Sequence, residues 1–188
     1  YNLGSCGLGC PTNAKQSMLV TTIPAALETG ARLFYQTRAQ RFEFDGFGCS
    51  GENRSPTLQW SGAPEGTKSF AFTVYDPDAP TGSGWWHWLA INIPADVQAL
   101  AANAGAIGGA NLPKGASHGR SDFGFAGWGG VCPPQGGKPH RYIFTVHALK
   151  APLEVPADAT AALTGYFMGM NTIAKASFTA TYNRAAAK

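Results

Sequence analysis

Three observations predict a loop-rich, mostly β domain with a late helix. Twenty-four Gly and 13 Pro in 188 residues imply frequent turns. Charged residues make up only 13% of the chain, whereas Trp 5 and Phe 11 supply large rings to pack between short strands. Several segments alternate apolar and polar side chains, the period of a half-buried strand. The length suits one domain with a substantial core.

Tyr1 to Ser17 is rich in Gly, Asn and Cys and has no periodicity, so residues 1–17 read as an irregular arm before a single domain over 18–188. Met18 to Tyr35 suggests extended pieces with a turn of helix. Arg41-Phe42-Glu43-Phe44-Asp45 alternates and predicts a strand. Gly46 to Pro56 reads as a loop and Leu58-Gln59-Trp60 as a short strand, with a turn at Gly62, Pro64 and Gly66. Phe70 to Tyr75 is a strand that delivers the chain into Asp76-Pro77-Asp78. After a Pro/Gly loop, a second strand begins Trp85-Trp86-His87-Trp88 and runs to Ile93.

Asp96 to Ala104 is assigned a short helix. Gly105 to Gly137 is a long glycine-studded segment, a length more often functional or well packed than idle. His140 to Leu149 is the strongest strand, with Tyr142, Phe144, Val146 and Ala148 on one face. Asp158 is the expected N-cap of an Ala-rich helix ending near Met170, and Lys175 to Tyr182 closes as a strand.

The formal charge of +3 is small and the basic residues are scattered, which argues against a nucleic-acid groove. No apolar run reaches bilayer-spanning length. The chain opens on Tyr1 rather than Met, implying that a segment upstream is removed or not shown. Cys6, Cys10, Cys49 and Cys132 lack zinc-ligand spacing, so no metal is expected, and two disulfides fit an oxidising compartment, periplasmic or extracellular. Four cysteines allow three pairings. Closeness in sequence favours Cys6–Cys10, and hence Cys49–Cys132. Leu3-Gly4-Ser5-Cys6 loosely resembles a lipid-attachment box, without a hydrophobic region before it.

Two pattern matches are set aside. Gly46-Phe47-Gly48-Cys49-Ser50-Gly51 satisfies a dinucleotide fingerprint but leads into Glu52-Asn53-Arg54-Ser55-Pro56, not into a helix. Gly115-Ala116-Ser117-His118-Gly119 satisfies a nucleophile-elbow pattern but lies in the glycine-rich segment. No cofactor is expected.

Two constellations remain. Pro77 and Pro80 stiffen an acidic turn bearing Asp76 and Asp78, close to His87. In Cys132 to Tyr142, alternation puts His140 and Tyr142 on one face and Arg141 on the other. An imidazole N–H beside a phenol O–H can donate to an anion, and amides of a glycine-rich turn could add donors. A carboxylate close to either imidazole would favour its cationic form. The plainer reading is that one Asp caps the turn and the other pairs with Arg141, and both readings can hold together. By alternation Trp85 shares the His87 face, where it can wall a pocket, while Trp86 and Trp88 point away. His147 falls opposite His140, in a structural or solvent-facing place, and His118 is a loop residue with no evident partner.

Together these segments resemble the phosphatidylethanolamine-binding protein family, which includes the animal Raf kinase inhibitor protein, and more specifically its bacterial Raf-kinase-inhibitor-like branch of periplasmic type. The likeness rests on Asp76-Pro77-Asp78-Ala79-Pro80 with His87-Trp88, on Pro133-Pro134, and on His140-Arg141-Tyr142. Cys49-Ser50-Gly51-Glu52-Asn53, Trp60 to Thr67, Asp122-Phe123-Gly124 and Gly127-Trp128-Gly129-Gly130 extend it over roughly Phe42 to Tyr182.

The resemblance implies a β-sandwich with a few short helices, one near the C-terminus, and a small pocket for phosphate-like anions and phospholipid headgroups. It implies Asp76, Asp78, His87, His140 and Tyr142 as lining, Pro80 and Pro134 as rim, and leaves Arg141 structural. Trp86 stands where animal members carry a second histidine, so animal-type kinase regulation is not carried over. The leading expectation is a small-ligand binding protein in the periplasm or outside the cell, with a phosphate-bearing molecule or lipid headgroup as partner and a protein partner as a further option. The alternatives are a hydrolase or isomerase using His140 or His87 as base with Asp76 orienting it, and an inhibitor or interaction module acting through residues 105–137.

Overall fold

A computed structural model describes residues 19–21 and 39–186. The expected arm over 1–17, with Cys6 and Cys10, lies outside the described residues. The chain builds ten strands and one helix there: β1 Leu19–Thr21, β2 Asp45–Gly46, β3 Cys49–Ser50, β4 Leu58–Gln59, β5 Ser69–Asp76, β6 Trp85–Pro94, β7 Ala99–Leu100, β8 Ser117–Gly119, β9 His140–Leu149, α1 Ala161–Asn171 and β10 Thr172–Tyr182. A 3-10 turn covers Ala39–Arg41.

One antiparallel sheet dominates, in the order β1-β10-β9-β5-β6-β8, and two ribbons, β2-β3 and β4-β7, complete the β structure. Among the described residues the second layer of the expected sandwich consists of these ribbons and packed loops. Phe70, Phe72, Val74, Trp88, Tyr142 and Phe144 from the large sheet meet Leu58, Trp60, Leu100, Trp128 and Val131 from that layer in the main core. The opposite face is smaller: Ala71, Ile91 and Leu149 pack on Leu153 and on Met168 of α1. Helix α1 carries no charged side chain and leaves Leu163, Tyr166 and Met170 exposed.

β5 is buried along almost its whole length because both its edges are paired and both its faces are covered. Its neighbours fix the register that matters for the site. Asp76 stands opposite Trp85 of β6, and Tyr75 opposite Ile143 of β9. The β5–β6 pairing is irregular between Val74 and Tyr75, and again between Phe70 and Phe72. Near the second irregularity Asn92 takes a positive φ of 56° and clamps Leu153 through both its amide N–H donor and its carbonyl.

Several local expectations change. The strand expected over Arg41 to Asp45 reduces to a single bridge at Glu43 and the start of β2, because Phe44 bonds across to Val131 and Gly51. The loop expected over Gly46 to Pro56 contains the β2–β3 hairpin. Asp96 to Ala104 holds β7 rather than a helix, since Ala99 and Leu100 pair with β4. The cap of α1 is Thr160, whose hydroxyl accepts from the Leu163 amide, two residues after Asp158. His118 lies in β8 and does have partners: Trp88 Nε1–H donates to its Nδ1 and its Nε2–H donates to the Ala106 carbonyl. His147 is half-buried, with Nδ1 3.2 Å from Thr172 Oγ1.

Candidate functional site

Three adjacent strands bring chemistry to one end of the sheet. Asp76 is the last residue of β5, His140 the first of β9, and Trp85 opens β6 with His87 two positions on. Sequence separation is large, but β9, β5 and β6 are neighbours, so these side chains converge. Asp76 is only 2% exposed. Its Oδ1 accepts the Asp78 backbone N–H at 2.8 Å, which closes the Asp-Pro-Asp turn, and its Oδ2 lies 2.8 Å from His140 Nδ1. One carboxylate therefore caps the turn and orients an imidazole.

Asp78 plays a different part. It takes Arg141 in a bidentate pair at 2.8 Å and also accepts the Arg141 backbone N–H. The Arg141 hydrogen bond holds the Asp78 carboxyl down at about 2. The pair sits on the outer face, as alternation at Arg141 implied.

His87 is buried among Phe123, Trp128 and Tyr142, with ring centroids at 5.4, 6.3 and 5.2 Å. Burial pushes its pKa down, against the opposing pull of the Gly129 carbonyl and of Asp76. The expectation that a nearby carboxylate would govern this imidazole is thus reversed for His87. Its Nδ1 lies 2.7 Å from the Gly129 carbonyl, which can only accept, so Nδ1 carries the hydrogen. Burial also pushes the Tyr142 phenol well above its usual range, keeping it a neutral O–H.

These groups line a cavity of about 210 Å³. Asp76, Pro80, His87, Pro134, His140 and Tyr142 all border it; Asp78 does not. Trp85 is a wall, as its face predicted. Sequence reasoning missed Phe47, Phe123 and Cys132 as lining. Phe47 tips the β2–β3 hairpin with φ 50° and is 75% exposed. A disulfide between Cys49 and Cys132 ties that hairpin to the Pro133-Pro134 rim. Phe123 reaches His87 because Gly129 has no side chain: a Cβ there would lie 2.1 Å from the Phe123 ring. Gly84, at φ 70°, is likewise required, since a Cβ would lie 2.3 Å from the Tyr75 hydroxyl, which donates to the Ser83 carbonyl and holds the 77–84 turn.

The amides expected as extra donors are engaged internally. Gly129 N–H donates to the His87 carbonyl, Gly130 N–H to Asn53 Oδ1, Gly136 N–H to the Arg184 carbonyl and Gly137 N–H to the Pro134 carbonyl. Among the described residues no Lys or Arg borders the cavity.

The profile of the phosphatidylethanolamine-binding protein family matches residues 36–183, which spans the whole site. The chain belongs to this family. It is 59% identical over 140 residues to the UPF0098 protein YbcL of Escherichia coli K12, covering 74% of this chain and 76% of YbcL. It is 47% identical over 144 residues to YbhB of the same organism, covering 76% and 90%. The crystal structure of E. coli YbcL, described as a new member of the mammalian PEBP family, superposes with a TM-score of 0.75 at 51% identity, covering 88% of this chain and 98% of YbcL. The PEBP homolog CT736 of Chlamydia trachomatis gives 0.65 at 28% identity, over 83% and 95%. A GMC oxidoreductase profile also matches residues 1–68. Within the described part of that stretch, Gly46 to Gly51 forms a hairpin with no helix following, so the glycines are not arranged as a dinucleotide-binding turn.

No helix among the described residues is long and apolar enough to cross a membrane.

Proposed function

We infer that this family member is a small-ligand binding protein whose pocket takes a phosphate-like anion or a phosphorylated headgroup. The observation that carries this reading is the Asp76–His140 pair at the mouth of three strands, with His87 and Tyr142 beside it in one cavity. At about 210 Å³ the cavity is smaller than the roughly 300–1,000 Å³ of sites for drug-sized molecules, which suits a headgroup-sized moiety. Tyr142 supplies an O–H donor and His140 Nε2 an N–H donor when its ring carries both protons, and the apolar walls (Phe47, Trp85, Phe123, Pro134) strengthen those bonds. Asp76 fixes the His140 ring so that Nε2 is the nitrogen left for a ligand.

Turnover is not required by this arrangement. Of the other hydroxyl and sulfur groups on the lining, Thr81 is committed to the Gly84 carbonyl and Cys132 to its disulfide, and the Tyr142 phenol is held neutral by burial, so the pocket offers a base without an evident nucleophile. The Cys49–Cys132 bridge supports placement in the periplasm or outside the cell. Calorimetric titration with phosphate and O-phosphoethanolamine, on wild type and His140→Ala, tests the reading. Saturable binding lost in the variant is the expected result; no heat from either ligand on folded wild type overturns it.

A further inference from the structure

An anion pocket without a fixed positive charge has an electrostatic problem. Among the described residues the cavity is bordered by the Asp76 carboxylate and by no Lys or Arg, since Arg141 is turned outward to Asp78. The neighbouring glycine amides are already donating inside the protein. A dianion placed here would meet a buried carboxylate with only two imidazoles and a phenol to offset it, and burial makes uncompensated charge expensive.

The hydrogen-bond pattern at His87 shows where compensation comes from. Its Nδ1–H is committed to the Gly129 carbonyl, so the remaining nitrogen, Nε2, presents a lone pair when the ring is neutral. Phe123, Trp128 and Tyr142 pack against this ring, the carboxylates of Asp76 and Asp122 and the backbone of Gly129 and Gly130 act on it electrostatically, and His140 neighbours Tyr142 on the same face of β9. None of these supplies a cation fixed at all pH values. A lone pair on Nε2 repels a fully ionised phosphoryl oxygen and accepts from a P–O–H group.

We propose that the pocket selects phosphomonoesters over phosphodiesters, binding them with one proton shared between a phosphoryl oxygen and His87 Nε2. This rests on the anion reading above and names its ligand class. No covalent bond is made or broken. The proton arrives on the ligand as its monoanion, or is taken from solvent when the dianion binds. A diester has no such proton to bring. The second ionisation of a phosphomonoester lies near pH 6. Above that, affinity falls on the order of tenfold per pH unit as one proton is taken up, and below it affinity levels off.

The test is calorimetric titration of the wild-type chain with O-phosphoethanolamine and with glycerophosphoethanolamine, from pH 5.5 to 8.5, in two buffers of different ionisation heat. The expected result is proton uptake approaching one at pH 8 and little at pH 5.5, with the monoester at least tenfold tighter than the diester at pH 6. Equal affinity for the two ligands, or monoester binding without pH dependence or buffer-dependent heat, overturns the proposal while leaving the anion pocket standing. Absence of binding by both ligands across the pH range removes the anion reading and the proposal with it.

Discussion

Asp76 holds two segments at once: one oxygen accepts the Asp78 amide and the other lies 2.8 Å from His140 Nδ1, 64 residues later in the chain. Asp76→Ala leaves both donors unmatched at a buried position, so we expect a loss of roughly 1–3 kcal/mol. Asp76→Asn keeps an acceptor for the turn and should lose less. Urea unfolding midpoints of the two variants provide the measurement. An unchanged midpoint for the Ala variant would contradict the assigned role.

The Asp78–Arg141 pair is solvent-facing, so its effect should be electrostatic and local. Asp78 has its folded pKa lowered from 3.8 to about 2. Its contribution is therefore complete above pH 3.8 and is lost as pH falls toward 2. In Arg141→Ala the carboxyl should titrate close to 3.8, read by carboxyl-carbon NMR, while binding of O-phosphoethanolamine stays within about twofold of wild type, since neither residue borders the cavity.

Burial, and secondarily the charge of Lys175, lowers His147 to about 4 against an ordinary 6.5. Below pH 6.5 the unfolded chain binds a proton that the folded chain refuses. Stability from this site is thus complete above pH 6.5 and falls as pH drops to about 4, by on the order of 3 kcal/mol at most. His147→Gln should flatten that part of the stability–pH curve, followed by chemical denaturation at pH 7 and pH 4.5. An equal slope in the variant would assign the loss to other groups.

Reducing Cys49–Cys132 should cost roughly 2–4 kcal/mol, since the bridge closes a loop of 83 residues. It should also weaken ligand binding, because the hairpin bearing Phe47 and the rim bearing Pro134 are then no longer joined. Guanidinium unfolding and calorimetry, each with and without dithiothreitol, separate the two effects. Binding that survives reduction unchanged would show that the rim is held by other contacts.

The parts of the site readable from sequence are those set by strand alternation and turn chemistry. Asp76, Asp78 and His87 were placed at the ends of two strands and His140 and Tyr142 at the start of a third, and the large sheet sets those three strands side by side. Phe47 and Phe123 were not, because neither lies on a strand that enters the site. Phe47 arrives through a hairpin fastened by a disulfide, and Phe123 through the close approach that Gly129 permits. The helix expected over Asp96 to Ala104 failed for a similar reason, since pairing with Leu58 and Gln59 overrides local preference. His118 looked isolated in sequence because its partners, Trp88 and Ala106, are 30 and 12 residues away.

The central position of β5 also sets an order of events during synthesis. Its hairpin partner β6 follows within a few residues, but its other neighbour, β9, begins only at His140. A chain emerging from the ribosome must therefore leave one edge of β5 unpaired at Phe70, Phe72 and Val74 until their β9 partners, Ala148, Val146 and Phe144, have been made. Pairing across such a distance is intrinsically slow. The arrival of β9 closes the second edge of β5 and brings His140 to Asp76 in the same step, so the pocket's central pair forms before β10 is added outside it.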